Sequence, residues 1–553
     1  MARRRLAGFG VLALFAVACQ WVVGIDEKTS SVQPANIPLA DASADANDAA
    51  PAECSKNLDC VTRRGANWVC VRPEGACRSL LDGDCEVVLA GSRGAPLSQK
   101  QEVLLDDDTI FFGFIADLRG SGKNAGLARR QAVELAVSDV HSVTQGIPGG
   151  ASGQRRPIAF VTCSETKDAT SAPDPKVAAR HLIDDLHVPA IIGASNSDTT
   201  INVFNGEALP KGTLLFSPNA LASSLSSPED RGLFWRTSTT SVLQGRAIRA
   251  QITAVEAQFL AGGAVAPLKL AIVQIGDVFG QDILPHVRSE LTFNGVALET
   301  GVNGPTCLAA PCAAGSRVFQ RQYPANPQGD VLQGLAAEVH GFAPHVVVAI
   351  GRQDAVQIAA GIEAFTPAPA PMYIFTQGAE TPDLTTLLTA FDTAGIRARV
   401  RGTRPLAAPE TATVFVPLYK AQFPEGPASG NGVPGAYDIA YLLTYAALAA
   451  GPGTMRLDGA RMNEGLKRVV DRAATTIVKV GTPDLSRGLD AISAGQTINV
   501  KGLSYIGDFD PGAGEAPGKV DVWCISPANT FKSSGVVYDP VDGGVTTGTF
   551  ACP

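Results

Sequence analysis

Residues 110–115 form an unbroken apolar run, and the chain from there on alternates such runs with segments of helical periodicity. That alternation constrains the fold more than any other feature. A strand that is apolar at every position must be covered on both faces, and parallel sheets with helical crossovers provide that cover. In residues 127–140, Val133, Ala136, Val137 and Val140 share one helical face. A strand follows at 157–161. Asp174 then caps a helix with Pro175 at its first position, and Ala179, Leu182, Ile183 and Leu186 form its buried stripe. Residues 188–192 and 213–216 are further strands. The pattern then repeats: strand 268–274, a helix from Val278 or Phe279 to Leu291, strand 345–350, helix 354–365, and strands 372–375 and 397–401. Helices are expected at 412–423, 436–449 and 458–470, and antiparallel strands within 498–526 around a Gly/Pro-rich turn at 511–518. The result is two α/β blocks, about 107–238 and 241–400.

Between strand 188–192 and the next helix lies Gly193-Ala194-Ser195-Asn196-Ser197-Asp198-Thr199-Thr200. A strand that breaks at a glycine, with Ser197 or Asp198 capping the helix, leaves backbone N–H groups pointing outward. Such amides and the helix dipole favour an anion. The turn is therefore expected to hold the charged end of a small ligand. Open parallel sheets bind ligands beyond the carboxyl ends of their strands, and two such sheets face to face make a cleft.

The first residues read as an export signal. Arg3, Arg4 and Arg5 precede an apolar segment over 6–18 that is too short to span a bilayer. Ala16-Val17-Ala18-Cys19 looks like a lipobox, which makes Cys19 the lipidation site and removes residues 1–19 as a lipoprotein signal peptide; secretory cleavage nearby is the alternative. Gln20 rather than an aspartate after Cys19 resembles the sorting rule of some bacteria for the outer membrane. Residues 20–51 form a tether whose end has only Ala, Asp, Ser and Asn before Pro51, a composition that does not fold. Eleven cysteines in an exported chain read as disulfides, and ten remain after Cys19. Cys54, Cys60, Cys70, Cys77 and Cys85 crowd into a cysteine-rich module over 52–88, too small for a core without staples. Cys307 and Cys312 are expected to close a small loop, and Cys524 and Cys552 to tie down the C-terminus. Cys163 would pair with the odd member of the first cluster, Cys85 being the candidate. Zinc fits poorly, since the cluster lacks Cys-x-x-Cys and histidine. The net charge of −8 argues against nucleic acid as the main partner.

Several motifs, in order and spacing, resemble one family. They are Phe112-Gly113-Phe114 with Gly120 and Gly126; residues 132–137; residues 189–197 followed by Leu215-Phe216-Ser217-Pro218-Asn219-Ala220; Phe234-Trp235-Arg236-Thr237 before Gln244-Gly245; Gly276-Asp277-Val278-Phe279-Gly280; and Ala436-Tyr437-Asp438 with Tyr441. Over about 107–530 the chain resembles the type I periplasmic binding proteins, the leucine/isoleucine/valine-binding receptors of ABC importers. The cysteine-rich preface lies outside that pattern. The resemblance implies two Rossmann-like lobes with parallel sheets joined by a three-strand hinge. Lobe one would be 107–238 plus 402–498, lobe two 241–400 plus 500–530, and 531–553 a C-terminal tail. It also implies closure on a small ligand, an amino acid or related carboxylate, and an ABC permease as partner. No cofactor is implied.

By the same resemblance, Ser197 grips a ligand carboxylate, with Ser195 and Thr199 as neighbours; a helix cap is the plain alternative. Asn219 and Leu221 follow the Ser-Pro turn. Leu221 departs from the family, because its side chain replaces a polar anchor with an apolar one. Phe279 stands where an aromatic covers the ligand, or it is simply core. Glu380 is the candidate for a ligand ammonium, against an exposed loop carboxylate. Arg352 can face the cleft or lie in solvent at a helix start. Micromolar binding needs about 8 kcal/mol, and a charge-assisted hydrogen bond gives about 1.5–3 kcal/mol, so several anchors are required.

Enzyme signatures are lacking. Residues 117–124 superficially suggest a phosphate loop, but Asp117 stands at the upstream glycine position and Asn124 follows Lys123. There is no nucleophile elbow and no His-Glu-x-x-His, and none of the six histidines lies beside a nucleophile signature. A solute-binding lipoprotein is the first reading. A ligand sensor or envelope scaffold that kept the fold without transport is the second.

Overall fold

The computed structural model describes residues 52–553, except 151–152, 227, 366–369, 391–394, 429, 431, 452–455, 517 and 541–544. The expected signal peptide, the expected lipidation site Cys19 and the expected tether lie outside the described residues. No helix among the described residues is long and apolar enough to cross a membrane.

Two sheets organise the chain. The first has six strands in the order Cys85–Ala90, Ile158–Ser164, Ile110–Ala116, Ala190–Ile192, Leu214–Ser217 and Phe234–Arg236. All are parallel except the edge strand Cys85–Ala90, which runs antiparallel to its neighbour. The second has eight: Val318–Tyr323, Leu270–Ile275, Val346–Ile350, Met372–Phe375, Val400–Pro405, Val520–Ile525, Phe531–Asp539 and Val545–Thr547. The first five are parallel and the last three antiparallel. Ile158–Ser164 and Leu270–Ile275 are buried at every residue, and most of their residues are accordingly apolar.

Helices supply the cover. Lys123–Thr144 packs against Val433–Ala449 over the first sheet, in a core that also holds Phe112, Phe114 and Phe160. Val433–Ala449 is buried nearly all round, so its sequence shows no polar face. Its Tyr437 and Tyr441 hydroxyls both donate to the buried Asp139, at 2.5 and 2.9 Å.

The chain passes between the sheets after Arg236, after Pro405, and between Lys501 and Val520. The first and third passages are tied together. Arg236 is fully buried, pairs with Glu515 at 2.5 Å and donates to the Ala222 carbonyl at 2.8 Å.

Four expected boundaries move. The strand expected at 397–401 is Val400–Pro405, after a 3-10 turn, and it belongs to the second sheet. Of the antiparallel strands expected in 498–526, only Val520–Ile525 is antiparallel; Ile498–Lys501 pairs in parallel with Thr476–Lys479. Residues 531–553 are not a free tail, because Phe531–Asp539 continues the second sheet. The first sheet does not begin at 107, because Cys85–Ala90 forms its edge.

The cysteine-rich segment is a short helix, Asn57–Arg64, on a hairpin of Trp68–Val71 and Ala76–Ser79. Cys54–Cys70 and Cys60–Cys77 staple it. The Asn57 side chain joins it to the first lobe, donating to the carbonyls of Leu104 and Asp106. Cys85–Cys163, Cys307–Cys312 and Cys524–Cys552 complete five bridges. A non-reducing peptide map of the oxidised protein is expected to yield these five pairs. Replacing Cys85 and Cys163 by alanine is expected to cost about 2–4 kcal/mol in denaturant unfolding, because the bridge closes a long loop onto the sheet edge.

Candidate functional site

The site grows from the carboxyl ends of the first sheet. Strand Ala190–Ile192 breaks at Gly193, whose φ is +152° and where a Cβ would lie 2.5 Å from the Ile115 carbonyl oxygen. Only glycine fits there. The turn then reverses into helix Ser197–Val203. Its cap is Asn196, not Ser197 or Asp198: the Asn196 side chain accepts from the Thr199 N–H at 3.1 Å, and Thr199 Oγ1 accepts from the Asn196 N–H at 3.3 Å.

The Ala194, Ser195 and Asn196 amides of this turn are matched within the chain. The Ala194 N–H donates to Thr200 Oγ1 at 3.1 Å. The Ser195 N–H donates to the Glu165 carboxylate at 2.5 Å, and the Thr199 hydroxyl reaches the same oxygen at 3.4 Å. The expected anion subsite therefore already holds a carboxylate. Glu165 follows strand Ile158–Ser164, is 2% exposed, and is fixed by its own N–H to the Ala116 carbonyl at 2.9 Å. Burial pushes its pKa up to about 7, against the pull of the Ser195 N–H and of Arg129. Its Oε2 is buried with no hydrogen-bond partner among the described residues.

Buried Arg129, from helix Lys123–Thr144, donates to Ser195 Oγ at 2.9 Å. Desolvation lowers its pKa, while Glu165 and Asp117 raise it. Asp117 accepts from Gly120 N–H, Gly122 N–H and Thr166 Oγ1 at 2.6–2.7 Å. The glycine amides of the phosphate-loop look-alike thus cradle the chain's own carboxylate. Asn219 Nδ2 donates to the Ser195 carbonyl at 3.0 Å.

On the second lobe, Asp277 caps helix Val278–Arg288 and pairs with Arg352. The lobes meet here. Asp198 accepts from the Val278 N–H at 3.1 Å, and Asp282 accepts from the Ser223 N–H at 2.8 Å. Burial and the neighbouring Asp277 raise the Asp198 pKa, against the Val278 N–H and Arg352.

No protein-family model matches the chain, and no curated protein does. Solved structures do. A periplasmic binding protein type 1 from Bordetella pertussis Tohama I aligns with TM-score 0.53 at 15% identity, over 77% of this chain and 99% of that one. This chain has the type I periplasmic binding protein fold. The branched-chain amino acid transporter substrate binding protein LivJ from Streptococcus pneumoniae, in complex with isoleucine, aligns with TM-score 0.52 at 15% identity, over 77% and 98%. An ABC transporter solute binding protein from R. palustris, in complex with 4-hydroxybenzoate, aligns with TM-score 0.53 at 16% identity, over 77% and 96%.

Within this periplasmic binding protein fold, Ser195, Ser197, Thr199 and Asn219 do gather around one turn, but each is engaged by the chain. Ser197 Oγ, 2% exposed, accepts from the Leu221 and Ala222 N–H groups at 3.2 and 3.1 Å. Leu221 and Phe279 are both buried in the second lobe's apolar cluster. Glu380 is not an exposed loop carboxylate: it is 9% exposed and pairs with Arg404 at 2.5 Å, and Arg404 also pairs with Asp521 at 2.9 Å. Burial raises the Glu380 pKa against that guanidinium. Arg352 is held by Asp277 rather than left in solvent. Glu165 and Arg129 escaped the sequence reading. A signal for Glu165 was available, as a carboxylate just beyond a strand's carboxyl end sits where such sheets place ligands.

Ser197→Ala is expected to lower stability by about 1–3 kcal/mol in denaturant unfolding, because two buried N–H groups lose their acceptor. Glu165 has a sign of its own. Its folded pKa lies above the unfolded value, so its contribution is greatest at low pH and is lost as pH rises towards 7. Stability of the wild type relative to Glu165→Gln is expected to fall between pH 4.5 and 7 by up to about 3 kcal/mol.

Proposed function

We propose that the chain is an extracytoplasmic solute-binding lipoprotein, anchored through Cys19, that traps a small solute between its lobes and delivers it to an ABC permease. The observation that carries this reading is the meeting of two parallel sheets at their carboxyl ends, with Asp198 of one lobe touching the helix start of the other. Ligands of open α/β sheets bind at such edges. Two of the solved proteins described above support it: the one from Streptococcus pneumoniae carries isoleucine, the one from R. palustris carries 4-hydroxybenzoate, and both are transporter binding proteins by description. The solute would be an amino acid or a molecule of that size. The residues at the sheet edges are hydrogen-bond donors and acceptors in fixed places, which suits binding and release rather than bond making. Nucleic acid is not a partner in this reading, and neither is a cofactor.

A second reading has one observation in its favour. Glu165 fills the turn from within, so the fold could persist as a sensor or envelope scaffold that no longer ferries a solute.

Thermal unfolding of the mature chain against a panel of amino acids, amines and small carboxylates separates the two. A solute at a hundred times its Kd stabilises the folded state by about 2.7 kcal/mol, so at least one compound is expected to raise the Tm clearly. A flat response across the panel contradicts solute capture and leaves the scaffold reading.

A further inference from the structure

Taking the chain as a solute receptor, we propose that Glu165 makes the first lobe's wall of the cleft a subsite for a cation, so that the solute enters with an ammonium or guanidinium group towards this lobe. The inference rests on the solute-capture reading above and specifies the ligand's chemistry.

Three observations carry it. The amide that a ligand carboxylate would need, Ser195 N–H, is spent on Glu165 Oε1, and Thr199 Oγ1 points to the same oxygen. A second anion would have to displace Glu165 to use that amide. Glu165 Oε2 is meanwhile buried without a partner among the described residues. A buried acceptor left unmatched is costly, and a donor from outside the chain relieves that cost. Finally, the nearby charges favour a cation. Asp117, Glu165 and Asp198 on the first lobe and Asp277 on the second outnumber Arg129 and Arg352, and Arg352 is paired with Asp277. Clefts with an excess of one sign concentrate the opposite one.

The ammonium group is compatible with the geometry in a way a carboxylate is not. Oε1 is held by the turn, so the carboxylate plane is fixed before the ligand arrives, and Oε2 accepts without side-chain reorganisation. Only the ionised carboxylate binds a cation well. The charged groups around Glu165 are Arg129 from helix Lys123–Thr144 and Asp117 from the end of strand Ile110–Ala116. With ionisation centred at about pH 7, cation affinity is expected to rise about tenfold from pH 6 to pH 8.

Isothermal titration of the full mature chain tests this with small probes: isopentylamine and agmatine as cations, isovalerate as the anion, leucine as the zwitterion, and glucose as a neutral solute. The expected result is binding of an amine or of leucine but not isovalerate. Glu165→Gln is expected to weaken that binding at least tenfold at pH 8 and to abolish its pH dependence. The wild-type pH profile stands as a readout even if the variant folds poorly. Isovalerate binding with silent amines overturns the proposal and keeps the receptor reading, as does an amine Kd and pH profile unchanged by Glu165→Gln. Glucose binding alone does the same. Silence from every probe, with a flat thermal panel, removes both.

Discussion

One hydrogen bond organises the carboxyl edge of the first sheet: the Ser195 N–H to the buried carboxylate of Glu165. A carboxylate taken out of water survives only with donors and charge around it. The chain supplies them from three elements. Gly193 lets the strand break where the turn can present the amide. Thr199 adds a hydroxyl, and Arg129 brings a guanidinium whose own donor goes to Ser195 Oγ. Asp117 donates its N–H to the same hydroxyl at 2.7 Å. Displacing any one of these shifts the others, because they share a single serine.

The same economy holds between the lobes. Asp198 begins a first-lobe helix yet takes an amide at the start of a second-lobe helix. A carboxylate at a helix N-terminus is favoured by unpaired amides and by the dipole. Behind it, the Arg236–Glu515 pair joins two of the passages between the sheets. A rotation of one sheet against the other would turn about those passages. The edges here carry fixed partners on both sides, which limits the geometries in which they can meet.

The parts of this architecture that were legible in the sequence are those governed by burial alone. Ile110–Ala116 and Leu270–Ile275 are covered on both faces, so their composition leaves no other reading. Cysteine parity in an exported chain pointed to Cys85 for Cys163, and the register places the two opposite each other. What burial does not encode was harder. Phe279 reads alike as core or pocket, since both are apolar, and it lies in the core cluster. Strand Phe531–Asp539 contains Lys532, Ser533, Ser534 and Gly535, a composition that looks like a loop because one of its faces is wet. Glu165 was invisible to a search for free donors, because the structure answers those donors with an acceptor from a neighbouring strand. The turn lies where the sequence placed it, between Ala190–Ile192 and helix Ser197–Val203, and the Glu165 carboxylate meets its Ser195 amide.

The most direct measurement is a high-resolution crystal structure of the mature chain at pH 8 grown with isopentylamine or agmatine. The account predicts Glu165 Oε1 on the Ser195 N–H and a ligand nitrogen within hydrogen-bond distance of Oε2, between the two sheets. A ligand carboxylate on the Ser195 N–H with Glu165 swung away, or a protein donor on Oε2, would contradict it.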